Sequence, residues 1–348
     1  MTEHEYSADG KVHDNLRLKE LQAMSLDRKI MITQARIIEW YNHFNGNVYI
    51  SFSGGKDSTV LADIAAQVCR AFNYTLILWF SDTGLEYPEN KKHVKSYAEY
   101  LESKYKINLK LVIDYPRDKN GKRISFKNVI MDYGYPVISK EVAKRVSEYR
   151  NAKSEGKLEK STAYKEFNGL RTMPDDNSKS FYNKTKYKYL VDAPFKISHK
   201  CCLIMKERPA IRFENKFGLK PIIATMACES LARKKTWVQH GCNAFNATRP
   251  MSTPMSFWTE QDVLKYCYLK NIPLSSVYGN ILYKHDQYST TGVPRTGCVF
   301  CAFGINQDKD RFLRLKETHP QLYDYCMKST ENGGLDMDRV LNYINIKH

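Results

Sequence analysis

Ser51-Phe52-Ser53-Gly54-Gly55-Lys56-Asp57-Ser58 separates two stretches of different periodicity. On its N-terminal side, Asn47-Val48-Tyr49-Ile50 is short, apolar and β-prone. On its C-terminal side, residues 59–68 repeat apolar side chains at helical spacing. A strand therefore ends in a Ser/Gly loop that opens a helix. Two glycines let the backbone approach an oxyanion, successive N–H groups point at it, and the helix N-terminus adds partial positive charge. Lys56 adds a full charge, and Ser53 and Ser58 add hydroxyl donors. The ligand expected here is a phosphate chain. Gly-rich turns between a strand and a helix are common, but the complete Ser-Gly-Gly-Lys-Asp-Ser string is far more specific. The spacing is not that of a Walker A loop, G-x-x-x-x-G-K-[ST].

Upstream, residues 15–44 carry apolar residues at three- and four-residue steps and predict one long or two shorter helices, stopped by Asn45-Gly46. The residues up to about Gly10 are expected to be disordered. Downstream, residues 74–80 read as a buried strand that ends in Ser81-Asp82-Thr83-Gly84-Leu85-Glu86. Residues 90–105 read as a helix and 109–114 as a third strand. Strands alternating with helices predict an α/β fold, a doubly wound parallel sheet. Such sheets bind ligands at the C-terminal ends of their strands, where both loops fall. Residues 125–132 and 140–151 predict short helices. Residues 200–217 predict a longer one that Gly218 stops, and 221–226 a strand. Thr259 caps a further helix, with Asp262 three residues on. Residues 288–297 read as a loop and 308–346 as closing helices. The expected organisation is a helical N-terminal extension (1–45), a nucleotide-binding domain (46–235) and a Cys-rich helical C-terminal region (236–348).

The 348 residues carry a formal net charge of +16. Residues 117–200 hold 20 Lys and Arg against 10 Asp and Glu, so this basic insertion supplies +10 of it. Tyr164, Tyr182, Tyr187 and Tyr189 interleave there with Lys165, Arg171, Lys179, Lys184, Lys186 and Lys188. Aromatics among cations suit a nucleic-acid strand, with phosphates on Lys and bases on Tyr. A solvated insertion kept soluble by its lysines reads equally well. No apolar window is long enough to span a membrane. The polar, acidic N-terminus is unlike a signal peptide, so a cytoplasmic location is expected.

In that compartment nine cysteines suggest metal, redox chemistry or burial rather than disulfides. Cys201-Cys202 and Cys298-x-x-Cys301 form a four-thiolate set. A Cys-x-x-Cys in a Gly/Pro-rich loop is a common metal half-site. Adjacent cysteines point apart, which is awkward for one tetrahedral ion and workable for a cluster of several irons. Structural zinc and simple burial are the alternatives. Cys69, Cys267 and Cys326 read as core, and Cys228 and Cys242 as buried or, alternatively, reactive thiols near the loops.

Residues 53–58 resemble the PP-loop of N-type ATP pyrophosphatases, which split ATP between its α- and β-phosphates. Asp82-Thr83-Gly84 with Glu86 resembles the second signature of the phosphoadenosine phosphosulfate (PAPS) reductase branch of that superfamily. Glu229, Ser230 and Arg233 match part of a further signature, although its usual Gly and Arg are Ala224 and Met226 here. The resemblance runs from about residue 46 to 305 and implies an adenine nucleotide α-hydrolase-like fold. It implies that Ser53, Gly54, Gly55, Lys56, Asp57 and Ser58 bind nucleotide phosphates, with Asp82, Thr83, Gly84, Glu86, Glu229, Ser230 and Arg233 beside the nucleotide. Lys56, Asp57 and Asp82 are then the catalytic candidates, and Asp57 or Asp82 the Mg²⁺ ligand. The cysteine arrangement resembles the [4Fe–4S] site of assimilatory sulfonucleotide reductases. True reductases usually have a degraded PP-loop and a nucleophilic cysteine in a C-terminal Glu-Cys-Gly-Leu-His segment. Here the loop is intact, and no cysteine follows Cys326. These features resemble the iron–sulfur sulfurtransferases, of the DNA phosphorothioation or tRNA thiolation type. That implies ATP, Mg²⁺ and a [4Fe–4S] cluster as cofactors, a nucleic-acid acceptor and a sulfur-donor protein. The alternatives are a PAPS or adenylylsulfate reductase that releases sulfite, and a nucleotide-gated nucleic-acid-binding module with a structural metal.

Overall fold

The computed structural model describes residues 13–173, 177–305 and 308–348. The N-terminal stretch expected to be disordered lies outside them. The chain runs through α1 (Asn15–Ala23), α2 (Leu26–His43), β1 (Val48–Ser51), α3 (Lys56–Phe72), β2 (Leu76–Ser81), α4 (Pro88–Tyr105) and β3 (Leu109–Asp114). Then come α5 (Phe126–Asp132), α6 (Lys140–Ser154), α7 (Thr162–Phe167), α8 (Arg208–Phe217), β4 (Lys220–Ile222) and α9 (Leu231–His240). Strands β5 (Asn243–Ala244) and β6 (Met251–Ser252), helix α10 (Glu260–Leu269) and strands β7 (Ile281–Lys284) and β8 (Gln287–Thr290) follow. Helices α11 (Arg311–Thr318), α12 (Pro320–Met327) and α13 (Met337–Tyr343) come last.

Two compact units are built from these elements. The first takes the described part of Met1–Asp82, with Glu86–Asp114 and Ala210–Gly297. The second takes Thr83–Leu85, Tyr115–Pro209 and Cys298–His348. These divisions differ from the sequence-based boundaries at 45/46 and 235/236, because each unit gathers segments that lie far apart in the chain.

In the first unit the sheet order is β3-β2-β1-β4-β6-β5. All pairs are parallel except β5 with β6. The chain leaves β1 towards β2 and β3 on one side and returns as β4 on the other. The order of strands therefore reverses between β1 and β4, and a crevice opens at their C-terminal ends. Side-chain alternation covers both faces. Val48, Ile50, Leu78 and Phe80 enter the large core that includes Ile37, Trp40, Leu61, Ile64 and Leu101. Tyr49 and Trp79 face the opposite way and pack on Ala210 and Phe213 of α8. The expected doubly wound α/β fold is therefore present.

Local chemistry sets most boundaries. The helical run 15–44 is two helices, because Ser25 caps α2 by accepting from the Arg28 N–H at 3.5 Å. Asn45 and Gly46 end it with positive φ. Thr259 and Asp262 form the expected capping box on α10. The strand predicted at 221–226 pairs only over Lys220–Ile222. One element differs in kind: part of the predicted 288–297 loop is β8, paired with β7. Its turn uses His285 and Asp286, both at positive φ, instead of the Asn-Gly that would have signalled a hairpin.

In the second unit Glu166 is completely buried at the C-terminal end of α7. It meets Arg145 at 2.9 Å, Lys184 at 3.1 Å and Arg171. Burial alone would raise its pKa, but Lys184 and Arg145 outweigh that and hold it below the usual carboxylate range. Arg150 of α6 donates to the carbonyls of Leu190, Val191, Ala193 and Phe195 at 2.8–3.1 Å. Much of the basic insertion is therefore organised around internal ion pairs and hydrogen bonds.

Replacing Glu166 with Gln removes the charge three cations share, while Lys184 keeps Glu141 and Arg145 keeps Glu148, so the stability lost in urea denaturation should stay below about 3 kcal/mol. The native contribution has a definite pH window. It is complete above the ordinary glutamate pKa of about 4.3 and disappears as pH falls through the lowered folded value. An acid titration of stability should show this loss in the native chain and not in E166Q.

Candidate functional site

Residues 51–55 leave the sheet at the C-terminal end of β1, inside the crevice. The Phe52 N–H still reaches Trp79 O at 2.8 Å, and the ladder then stops. Gly54 turns with φ +72°, which L side chains rarely adopt. A Cβ there would lie 2.7 Å from Val94 Cγ2, so α4 closes directly over the glycine. From the same helix, Asn90 Nδ2 donates to Ser53 O at 2.8 Å. Ser58 Oγ donates to Gly55 O at 3.0 Å and accepts from Ser53 N at 3.2 Å. The loop is thus fixed before any ligand arrives.

Gly55 is the N-cap of α3 and offers no side-chain acceptor. First-turn amides of such a helix have no intrahelical partner and suit an anion. Tyr278 OH accepts from the Lys56 N–H at 3.0 Å and lies 3.3 Å from Thr296 Oγ1. Lys56 has only 5% of its side chain exposed. Its Nζ is 3.0 Å from Glu260 Oε1 and 3.6 Å from Asp57 Oδ1. Burial opposes its charge, but Asp57, Tyr278 and Glu260 together outweigh burial and raise its pKa. Lys56 is a charged ammonium held at the mouth of the loop. Asp57 Oδ1 is buried and has no hydrogen-bond partner. A carboxylate oxygen with an ion-pair neighbour but no hydrogen-bond donor, beside this loop, is chemically suited to a hard cation such as Mg²⁺.

Asp82, at the end of β2, pairs with Lys91 at 2.6 Å, and its N–H donates to Asp114 O at 2.8 Å. Glu86 belongs to the same unit, just ahead of α4. Past β4, Glu229 accepts from the Met226 N–H at 2.9 Å, pairs with Arg233 and lies 3.3 Å from Arg295. Ser230 Oγ caps α9 by accepting from the Arg233 N–H. Burial and neighbouring Arg295 lower the Arg233 pKa, while Asp57 and Cys228 oppose them. The first unit therefore gathers Ser53, Gly54, Gly55, Lys56, Asp57 and Ser58, with Arg233 electrostatically linked to Asp57 and paired with Glu229. Sequence reading did not assign Glu260, Tyr278, Arg295 or Asn90 to this site. Glu260 is the first residue of α10 and Tyr278 ends a short 3₁₀ turn, Ser276–Tyr278, so neither carried a signal beyond a local one.

Of the two thiols expected to be buried near the loops, Cys242 is buried but Cys228 is exposed, because it sits in the short turn after β4 and not in the core. Cys228 Sγ lies 3.4 Å from Trp258 O; desolvation there, with Asp57, Glu260 and Asp262 nearby, raises its pKa. Burial raises that of Cys242, with Arg36 opposing. A reactive cysteine needs the opposite shift.

Thr83 and Gly84 belong to the second unit, as do all four cysteines of the predicted cluster site. Thr83 Oγ1 accepts from the Leu85 N–H at 3.2 Å, and Leu85 O accepts from the Val299 N–H at 2.8 Å. This ties the Thr-Gly segment to the Cys298–Cys301 loop. The four thiols are free. Burial raises the Cys201 thiol strongly, and Cys298, Cys202 and Cys301 raise it further. Burial and Cys298 push the Cys301 thiol up to about 12, against the Phe303 N–H and Arg311. Burial raises Cys202 too, while Lys140 and Lys206 oppose it. The Phe303 N–H donates to Cys301 Sγ at 3.4 Å, and Arg311 donates to Cys298 O at 2.8 Å. A π-helical segment, Leu203–Glu207, directly follows the tandem cysteines; such segments often sit at functional sites. Among the described residues, no group of three or more His, Cys, Asp or Glu side chains is arranged to hold one metal ion. The donor set is four mutually coupled thiols with an N–H and three cations around them. That chemistry fits an anionic iron–sulfur cluster, whose sulfurs take hydrogen bonds and whose charge needs compensation.

Residues 47–173 match the phosphoadenosine phosphosulfate reductase domain. An uncharacterized protein of Methanocaldococcus jannaschii is 24% identical over 331 residues, 95% of this chain. The chain spans 59% of that relative's length. No helix among the described residues is long and apolar enough to cross a membrane.

Gly54→Ala should cost about 1–2 kcal/mol for the left-handed backbone alone, plus the Val94 clash. Gly84→Ala has a similar φ but open space around its Cβ, so it should pay only the backbone term. Thermal denaturation of the two variants, with calorimetric titration of ATP, separates the contributions. Gly54→Ala should show the larger loss of stability and, through distortion of the residue 53–58 loop, the larger loss in the titration.

Proposed function

Starting from a phosphoadenosine phosphosulfate reductase domain over residues 47–173, we propose that this chain is an ATP pyrophosphatase-type sulfurtransferase that activates an oxygen on a nucleic acid. One observation carries the reading: the residue 53–58 loop is complete and rigid, with a buried, charged Lys56 at its mouth. In the reductase alternative Cys228, which is exposed, or Cys242, which is buried, would have to attack the bound sulfonucleotide, and desolvation raises both thiols instead of activating them.

In this reading the α3 N-terminus, Lys56 and the two serine hydroxyls bind the β- and γ-phosphates of ATP. An acceptor oxygen attacks the α-phosphorus, the α–β bridge breaks, and pyrophosphate leaves. Charge builds up on that leaving group, where Lys56 and fixed amide dipoles are already oriented. Glu260 must yield Lys56 to the phosphates, and its side chain is exposed enough to move. Hydrosulfide from a sulfur-donor protein then displaces AMP, so that sulfur replaces the acceptor oxygen. Asp57 would hold Mg²⁺, which neutralises phosphate charge when bound. Cys201, Cys202, Cys298 and Cys301 would hold a [4Fe–4S] cluster, which supplies iron–sulfur redox chemistry in the second unit when bound.

Incubation with ATP, Mg²⁺ and nucleic acid should release pyrophosphate and AMP, and Lys56→Met should reduce the rate at least a hundredfold. Release of sulfite from PAPS or adenylylsulfate in place of pyrophosphate would establish the reductase alternative. Anaerobically purified protein should contain about four irons per chain with visible absorption, and Cys298→Ser should lower both. One zinc and no colour would instead establish a structural metal.

A further inference from the structure

The basic insertion looks different once its internal pairs are removed. Arg145, Arg171 and Lys184 are committed to Glu166, and Arg150 to backbone carbonyls. Tyr164 is half-buried and stacked near Tyr149. Lys153, Lys157, Lys160 and Lys165 are exposed elsewhere in the insertion, but residues 179–189 form a short strip where exposed cations and exposed rings occur together. Lys179, Lys186 and Lys188 are exposed. Phe181 is 69% exposed and Tyr189 40% exposed. Phe181 also lies beside Tyr182, with ring centroids 4.0 Å apart. No carboxylate occurs between residues 177 and 191.

This strip is firmly held from behind. Thr185–Asp192 is a 3₁₀ helix, in which residues three apart share a side. Lys186 and Tyr189 therefore lie in one row. Leu190 and Val191 are buried, and Arg150 holds their carbonyls. Tyr343 OH donates to Tyr189 O at 2.9 Å. Lys188 Nζ is 2.7 Å from Asn168 Oδ1, a neutral partner that leaves its charge uncompensated. Phe181 stands in solvent beside these cations, and the carboxylates Glu141 and Glu166 meet the strip at the buried Lys184.

We propose that residues 179–189 form a stacking platform for single-stranded nucleic acid, with Phe181 and Tyr189 under bases and Lys179, Lys186 and Lys188 on phosphates. This rests on the reading of the acceptor as a nucleic acid and says where that acceptor is held. Unpaired bases are required because a ring face can stack only on a base outside a duplex. Charge complementarity selects a polyanion, and the exposed rings select one with aromatic faces.

The test is fluorescence anisotropy with a labelled single strand of about 16 nucleotides, without ATP. Native protein should bind the strand more tightly than the same sequence as duplex. Phe181→Ala should weaken binding about tenfold, since one base stack contributes roughly 1–3 kcal/mol. The double variant Lys186→Gln/Lys188→Gln should weaken it and reduce the slope of log K against log salt by about 1.4, or about 0.7 per lost phosphate contact. Equal affinity for duplex, or Phe181→Ala binding at native strength, would overturn the platform. Preferential binding to anionic lipid vesicles would also overturn it, in favour of a membrane surface. Both sites are exposed, so unchanged thermal denaturation of the variants serves as the folding control. Because ATP is absent, failure here leaves the pyrophosphate assay standing, and failure of that assay leaves the strand-binding result standing.

Discussion

Lys56 carries a full positive charge with almost no water around it, and the architecture of the first unit follows from that condition. A buried ammonium is tolerated only beside compensating groups. Asp57 comes from the next residue, whereas Glu260 and Tyr278 arrive from segments more than 200 residues later. The sheet order makes this convergence possible. With β1 between β2 and β4, the loop after β1 opens into the reversal of the strand order, and later segments can reach it. The loop and the fold thus share one electrostatic requirement.

The second unit solves a similar problem with opposite sign. Glu166 is a buried carboxylate among Arg145, Arg171 and Lys184, and this cluster uses up charges that seem, in the linear sequence, to belong to the surface. The same unit holds Cys201, Cys202, Cys298 and Cys301, and burial with the neighbouring thiols raises the pKa values of Cys201, Cys202 and Cys301. Such a group is stable as neutral thiols, and it must lose protons to bind a metal, so loading of the site depends on pH. Lys140, Lys206 and Arg311 oppose the shifts and favour the thiolate form.

Much of the fold was legible because its signals are local. The Asn45-Gly46 stop, the Thr259/Asp262 box, the third strand at Leu109–Asp114 and the loop between β1 and α3 all depend on neighbours within a few residues. The β7–β8 hairpin was not legible, since His285-Asp286 is an unusual pair for a turn that needs two positive φ angles. The boundaries of the two units were hidden for a different reason: each is assembled from segments that alternate along the chain.

The sequence by itself determined that glycine, lysine and hydroxyl chemistry stands at fixed spacing between a strand and a helix, and the structure keeps those residues in one hydrogen-bonded loop. It also determined that four cysteines in two pairs needed an explanation. Only the tertiary structure decided which charges are free to meet a ligand. Glu260 and Tyr278 became partners of Lys56, Arg171 and Lys184 turned inward to Glu166, and Phe181 turned out to solvent. The physical reason is that charge compensation and solvent exposure depend on distances in space, and the residues that set those distances are separated in the chain by tens to hundreds of positions.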